Sequence, residues 1–237
     1  MPYYLPTTNV LRYTTEKLTG RREYIPNTLF NAVMRATRSS PYRDRNDRWE
    51  SIFVHVPRTA GTSIANALFE DGDCGHTPLY AYRAFDEARY RNYFKFAFVR
   101  NPFSRLVSAF HQNRENARNP RKKPWAAQYF SDLDGFIEFV ERMGGNSSYR
   151  RVVMAHDHFR PQWEFVTVGG RVDLDFLGKF EDLEKDFQRI SEELGANTSL
   201  PKKNSSSHAN YEHYYTSKAK NIVEKLYKND FRKLGYN

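Results

Sequence analysis

Apolar and polar positions alternate along the chain in two regimes. Three short runs are rich in β-branched and aromatic residues: "SIFVHV" at 51–56, "FKFAFV" at 94–99 and "VDLDFLGKF" at 172–180. Each predicts a strand. The first is followed by Ile64, Ala67 and Leu68 at helical spacing. After the second, Phe103, Leu106, Val107 and Phe110 form one helical face, and Pro102 suits a first helical turn. "DLDGFIEFVERMGG" predicts a helix that ends in glycines. "EDLEKDFQRISEELG" carries Leu183, Phe187, Ile190 and Leu194 on one stripe, and "TSKAKNIVEKLYKNDFRKLGY" predicts one final helix. Strands alternating with helices predict an α/β fold, a parallel sheet with helices on both faces. Ligands of such sheets bind beyond the carboxyl ends of the strands.

Upstream the pattern weakens. Within residues 1–50, "NTLFNAVMRATR" predicts a short helix and "SSPYRDRNDR" a polar linker. We expect an N-terminal extension over 1–50, on the acceptor side or as a packing segment, and one functional domain over 51–237. A chain of 237 residues can bury a core of its own. No internal repeat is present.

Charge narrows the partners. The net charge is +9, and the pI is about 9.5. That balance favours anionic ligands. Cys74 is the single cysteine, so no intrachain disulfide can form, which fits a reducing compartment. No apolar run reaches the roughly 18 residues of a membrane span, and the N-terminus lacks a signal-peptide core. The expectation is a soluble, cytoplasmic protein.

The candidate chemistry lies in two strand-to-helix loops. In "VPRTAGTSI", backbone N–H groups at a helix start favour an anion. Gly61 permits close approach of the backbone. Thr59, Thr62 and Ser63 offer hydroxyls, and Arg58 adds a fixed forked cation. A triphosphate-binding loop reads G-x-x-x-x-G-K-[ST]. Here Thr62 follows Gly61, and Val56 stands where the first glycine would be, so the triphosphate arrangement is not supported. In "FVRNPFSRLVSAF", Arg100 ends a strand and Ser108 follows two helical turns in, so the two can grip a second phosphate. No His/Cys/Asp cluster has metal-ligand spacing, and a metal-free site is expected.

"FVHVPRTAGTSI" and "FKFAFVRNPFSRLVSAF" resemble the two cofactor motifs of the carbohydrate O-sulfotransferases. The group is typified by the chondroitin, dermatan and HNK-1 enzymes, with bacterial members and the uronyl 2-O-sulfotransferases. The likeness continues through "HFRPQ" (158–162), "FLGKFEDLEKDF" (176–187) and "YYTSKAKNIVEKLYKNDFRKLGY" (214–236). It implies the P-loop-like sulfotransferase fold and 3′-phosphoadenosine 5′-phosphosulfate (PAPS) as donor, leaving adenosine 3′,5′-bisphosphate. It implies that Arg58, Thr59, Ala60, Gly61, Thr62 and Ser63 cradle the phosphosulfate and that Arg100 and Ser108 hold the 3′-phosphate. It also implies that Lys202, Lys203 and Asn204 lie in a loop over the nucleotide. The resemblance implies as acceptor a hydroxyl of a glycan or glycoconjugate, acidic ones included, and implies no nucleic-acid partner. The family pattern is usually P-K-T-A-G-T-S, and its lysine steadies the bridging oxygen as sulfate departs. Arg58 keeps that charge but spreads it over a plane.

Three residues are candidates for the base. His76 comes first: it lies in Cys74-Gly75-His76, where the uronyl 2-O enzymes read H-G-H. Imidazole titrates near neutral pH, which suits proton removal. His158 is second and Glu70 third, since some relatives use a carboxylate. The basic run "NARNPRKKPW" (116–125) can steer an acidic glycan. Acceptor contacts are expected from 1–50 and 112–170. Two other readings stay open: a kinase-like nucleotide binder with a degenerate P-loop, and a basic nucleic-acid-binding protein. The missing Walker lysine weighs against the first, and the lack of any nucleic-acid motif against the second.

Overall fold

The structure, a computed structural model, describes residues 40–70, 72, 74–200 and 211–236. The helix expected in "NTLFNAVMRATR" and the loop residues Lys202, Lys203 and Asn204 lie outside the described residues. In chain order the elements are α1 (Asp44–Arg48), β1 (Ser51–Val54), α2 (Gly61–Phe69), α3 (Leu79–Phe85), α4 (Glu87–Asn92) and β2 (Phe94–Val99). Next come α5 (Pro102–Ala117), α6 (Pro124–Phe130), α7 (Phe136–Gly145), α8 (Ser147–Ala155), α9 (Trp163–Val166), β3 (Thr167–Val168) and β4 (Arg171–Val172). The chain closes with β5 (Phe176–Lys179), α10 (Leu183–Glu193), α11 (Ser217–Leu226) and α12 (Lys228–Leu234).

The three apolar runs form one parallel sheet in the order β1-β2-β5, with Phe53 opposite Phe96 and Ala97 opposite Leu177. Successive side chains face opposite sides of a strand. Ile52, Val54, Ala97 and Val99 therefore share one cluster with Leu79 and Phe165. Phe53, Phe96 and Phe98 join Ile64, Leu68, Phe187 and Ile190 on the other face. Both faces are covered, as a parallel sheet requires. A third cluster joins α5, α6, α7 and α11 around Phe110, Phe130, Phe139 and Val223. It holds the helices beside the carboxyl edge of the sheet. No helix among the described residues is long and apolar enough to cross a membrane.

Three elements differ from expectation, each for a tertiary reason. The third predicted strand divides: Val172 pairs antiparallel with Thr167, and the parallel strand begins at Phe176. Between them the Asp175 carboxylate accepts the Lys95 N–H (2.7 Å) and meets its ammonium (2.8 Å), which turns the chain onto the sheet. The final helix breaks at Tyr227, which is buried with its hydroxyl donating to the Phe159 carbonyl (2.7 Å). Three residues on, the Asp230 carboxylate accepts the N–H groups of Gln162 and Trp163. The polar stretch before β1 is not a linker throughout, because it contains α1. There Asn46 donates to the Ser51 carbonyl (2.7 Å), and buried Tyr42 donates to the carbonyls of Tyr82 and Asp86.

Candidate functional site

The loop after β1 is held in an uncommon backbone conformation. Arg58 (φ 73°) and Ala60 (φ 65°) both occupy the left-handed region, rare for residues with a Cβ. Such strain collects at binding sites. Ala60 stands at the N-cap of α2, and the N–H groups of Ser63 and Ile64 donate to its carbonyl. The N–H groups of residues 58–62 donate to no acceptor among the described residues. Thr59, expected to offer its hydroxyl to a ligand, is fully buried and donates that proton to the Val56 carbonyl (2.8 Å). Its hydroxyl closes the loop, and its N–H is what remains. Thr62 is exposed and Ser63 half-buried.

Gly61 is required by a residue that the sequence reading assigned no role. A Cβ at Gly61 would stand 1.9 Å from Cδ2 and 2.2 Å from Nε2 of His55. His55 lies beneath the loop with Nδ1 3.0 Å from the Cys74 thiol. Burial, and then the neighbouring His76, push its pKa down to about 3, so it is neutral.

Three arginines converge on this loop. Arg58 donates to the Ser108 hydroxyl through Nε (3.1 Å) and Nη2 (2.9 Å), and to the Gln112 Oε1 through Nη1 (3.1 Å). Arg100 donates to the Ser104 hydroxyl (2.9 Å) and leans toward the Arg58 carbonyl (3.4 Å), with its guanidinium carbon 4.1 Å from the Phe180 ring centroid. Arg105, almost fully buried, donates to the carbonyls of Pro57 (2.9 Å), Arg160 (3.0 Å) and Asp157 (3.3 Å). The sequence pairing of Arg100 with Ser108 is thus rearranged. Both lie at the site, but Ser104 takes Arg100 and Arg58 takes Ser108.

Electrostatics favour an anion here. Burial lowers the pKa of Arg58, with Arg105 adding. Burial lowers Arg100 to about 10, against the pull of Glu181. Neither guanidinium has a carboxylate within ion-pair distance among the described residues. Mostly buried cations without an anionic partner are costly, and a bound anion removes that cost. Arg100 is also fixed through its backbone. Its N–H donates to Gln162 Oε1 (2.9 Å), and its carbonyl accepts from Gln162 Nε2 (2.7 Å). Gln162 is held in turn by Asp230, whose carboxyl burial pushes up to about 6.

Beside the loop four imidazoles stand in file. The ring centroids of His55 and His76 are 4.8 Å apart, those of His76 and His158 6.0 Å, and those of His158 and His156 5.0 Å. His156 stacks on Trp125 at 4.1 Å. His76 Nδ1 lies 3.5 Å from Asp157 Oδ2. His158 accepts at Nδ1 from the Asn113 amide (3.1 Å), and burial, then the neighbouring His156 and His76, push it down to about 2. A cleft of about 350 Å³ opens there, lined by His76, His158, Trp125, Asn113, Lys122 and Lys123. The basic run from the sequence therefore shares a cleft with His76. Glu70 is exposed at the carboxyl end of α2, at the opposite end of that helix from the loop.

Two strand-to-helix loops carrying Arg58 and Arg100, at the carboxyl ends of β1 and β2, thus adjoin a histidine-lined cleft. Residues 44–237 match the model of the "Sulfotransferase family". The chain belongs to the sulfotransferase family. Among similar proteins, carbohydrate sulfotransferase 10 of Xenopus laevis is 27% identical over 222 residues, covering 81% of this chain and 62% of that protein. Carbohydrate sulfotransferase 10 of Homo sapiens is 27% identical over 175 residues, 63% of this chain and 49% of that protein. Carbohydrate sulfotransferase 14 of Danio rerio is 27% identical over 117 residues, 46% of this chain and 32% of that protein. The chain spans less than two thirds of each of these relatives. No solved structure gives a significant match. The α/β sheet and the family match of this sulfotransferase family member agree with the resemblance carried by its sequence.

Proposed function

We propose that the protein transfers a sulfuryl group from PAPS to a hydroxyl of a carbohydrate or glycoconjugate. One observation carries the reading: Arg58 and Arg100, mostly buried and without a carboxylate partner among the described residues, flank a loop whose N–H groups at residues 58–62 are equally available to an anion. Two phosphate-type groups on one nucleotide fit two such cations. When bound, PAPS supplies a sulfuryl group already attached to a good leaving group.

The residues divide the remaining work. The backbone of 58–62 and the Thr62 and Ser63 hydroxyls hold the phosphosulfate end at the positive end of α2. Arg58 neutralises charge that grows on the bridging oxygen. Arg100, backed by Gln162, holds the 3′-phosphate together with Ser108. His76 faces the cleft and takes the acceptor proton. His55 and His158 are held neutral by burial and act as packing and hydrogen-bonding groups. Lys122, Lys123 and Trp125 present a charged and aromatic wall to the acceptor. Lys203 and Asn204 are proposed as further donor contacts on the strength of the family resemblance.

The experiment is transfer of labelled sulfate from PAPS to a panel of glycans and small alcohols, beside calorimetric binding of adenosine 3′,5′-bisphosphate. Transfer, with bisphosphate binding that needs no magnesium, is the expected result. Magnesium-dependent ATP binding without bisphosphate binding would overturn it in favour of a kinase-like protein.

A further inference from the structure

Three of the four imidazoles beside the loop differ in what meets Nδ1. For His55 it is the Cys74 thiol at 3.0 Å. For His158 it is the side-chain amide of Asn113 at 3.1 Å, a donor, so that Nδ1 carries no proton. For His76 it is a carboxylate, Asp157 Oδ2, at 3.5 Å. Asp157 is the single acidic residue among those lining the cleft.

We propose that Asp157 is a positioning residue for His76: its carboxylate accepts the Nδ1 proton, selects that tautomer and turns the Nε2 lone pair toward the acceptor hydroxyl. This rests on the reading of His76 as the base. The separation is within ion-pair range and longer than a formed hydrogen bond; contacts of this kind tighten in the reacting complex. As Nε2 takes the acceptor proton, the imidazole becomes a cation, and Asp157 stabilises it without being protonated itself. The surroundings otherwise oppose that cation. His55 and His158 are neutral, and Lys122 and Lys123 line the same cleft. A carboxylate is therefore the group that can make His76, rather than its neighbours, the proton acceptor.

Asp157 is itself in register with the donor loop. Its carbonyl accepts from Nη2 of Arg105 (3.3 Å), while Nε of the same guanidinium donates to the Pro57 carbonyl (2.9 Å). One buried arginine thus fixes the distance between the residue that orients the base and the first residue of the anion loop. His158 lacks such a carboxylate contact in the described structure, and its Nδ1 already accepts a hydrogen bond.

The first test needs no substitution. Nitrogen-15 NMR of the histidine side chains in the intact protein reads the tautomer of His76. The expected result is a proton on Nδ1 and a bare Nε2; the opposite tautomer overturns the proposal whether or not the protein transfers sulfate. The second test is Asp157→Asn and Asp157→Glu in the full chain. Asp157→Asn should lower kcat by at least ~10-fold, since loss of a group that orients a functional histidine costs from about 10-fold to about 10⁴-fold. Affinity for adenosine 3′,5′-bisphosphate and KM for the acceptor should stay within about twofold, and Asp157→Glu should recover part of kcat. A full-rate Asp157→Asn protein, or one that loses bisphosphate affinity in step with kcat, overturns the positioning role. Failure of the parent protein to transfer sulfate would overturn the functional reading instead, and the tautomer measurement separates the two.

Discussion

Arg58 and Ser108 belong to different strand-to-helix units, yet the guanidinium of one grips the hydroxyl of the other through two donors, at 3.1 and 2.9 Å. A third donor of the same fork reaches Gln112 one turn further along α5. A lysine has three donors on a compact ammonium and cannot match that planar fork. The arginine therefore links the two anion-directed loops through its side chain. It also holds the hydroxyl that was expected to serve the second phosphate.

From this link we expect Arg58→Ala to separate binding from chemistry. An interaction that strengthens as charge grows in the transition state lowers turnover more than ground-state affinity when removed. The variant should keep much of its bisphosphate binding and lose most transfer. Arg58→Lys restores the charge without the fork and should remain active. Calorimetry beside a transfer assay checks both, and an Arg58→Ala protein with parental turnover would remove Arg58 from the chemistry.

Arg100 should matter for binding itself. Its buried guanidinium meets Ser104 and the face of Phe180, and it is placed by the two-way amide contact with Gln162. Losing a charge-assisted contact to phosphate costs about 1.5–3 kcal/mol. Arg100→Ala should weaken adenosine 3′,5′-bisphosphate accordingly and leave AMP nearly unaffected. In the parent protein, bisphosphate at 100 times its dissociation constant should add about 2.7 kcal/mol of stability, well above the effect of AMP at the same concentration. Thermal melts with the two nucleotides decide it: equal shifts would mean that no 3′-phosphate site exists.

The parallel sheet and both loops were legible because they depend on local pattern. Apolar runs, Pro102, and a glycine at a helix start act on their immediate neighbours. What escaped depends on partners distant in the chain. The division of 172–180 follows from Asp175 meeting Lys95, and the break at Tyr227 follows from hydroxyl and carboxylate contacts with residues 159–163. His55 was hidden inside an apolar run, where it read as one more strand residue. Its position against Gly61 is a contact across the loop that spacing does not encode. The signal was a histidine set among Ile52, Phe53, Val54 and Val56. Asp157 carries no local signal for a similar reason, since it gains meaning only where the chain brings it to His76.

The contact between Gly61 and His55 gives a test that needs no assay of activity. A methyl group at Gly61 cannot fit while the His55 ring keeps its place. Overpacking of this kind costs about 1–3 kcal/mol. Gly61→Ala should destabilise by that amount in chemical denaturation. His55→Ala in the same chain frees the space, so the double variant should be more stable than the two single losses predict. Contacting residues typically show coupling of about 0.5–3 kcal/mol. Simple additivity would mean that the ring does not lie against the glycine.

The buried titratable groups predict how stability follows pH. His55 and His158 are lowered from 6.5 to about 3 and about 2, so the folded chain refuses protons that the unfolded chain accepts below pH 6.5. Their contribution is present above that pH and is lost as the solution is acidified. Asp230 acts in the other direction: it is raised from 3.8 to about 6, so the folded chain takes its proton first, and acid favours folding through this group. Between about pH 6 and pH 4 the two histidines oppose one carboxyl, which leaves a net uptake of about one proton on unfolding. Stability from these three groups should fall by ~1.4 kcal/mol for each pH unit in that window. Urea denaturation from pH 7.5 to pH 4.5 measures the slope. Asp230→Asn removes the opposing group and should steepen it, whereas His158→Gln should flatten it. A parent slope of zero, or an Asp230→Asn slope shallower than the parent's, would show that these side chains are not buried in the charge states assigned to them.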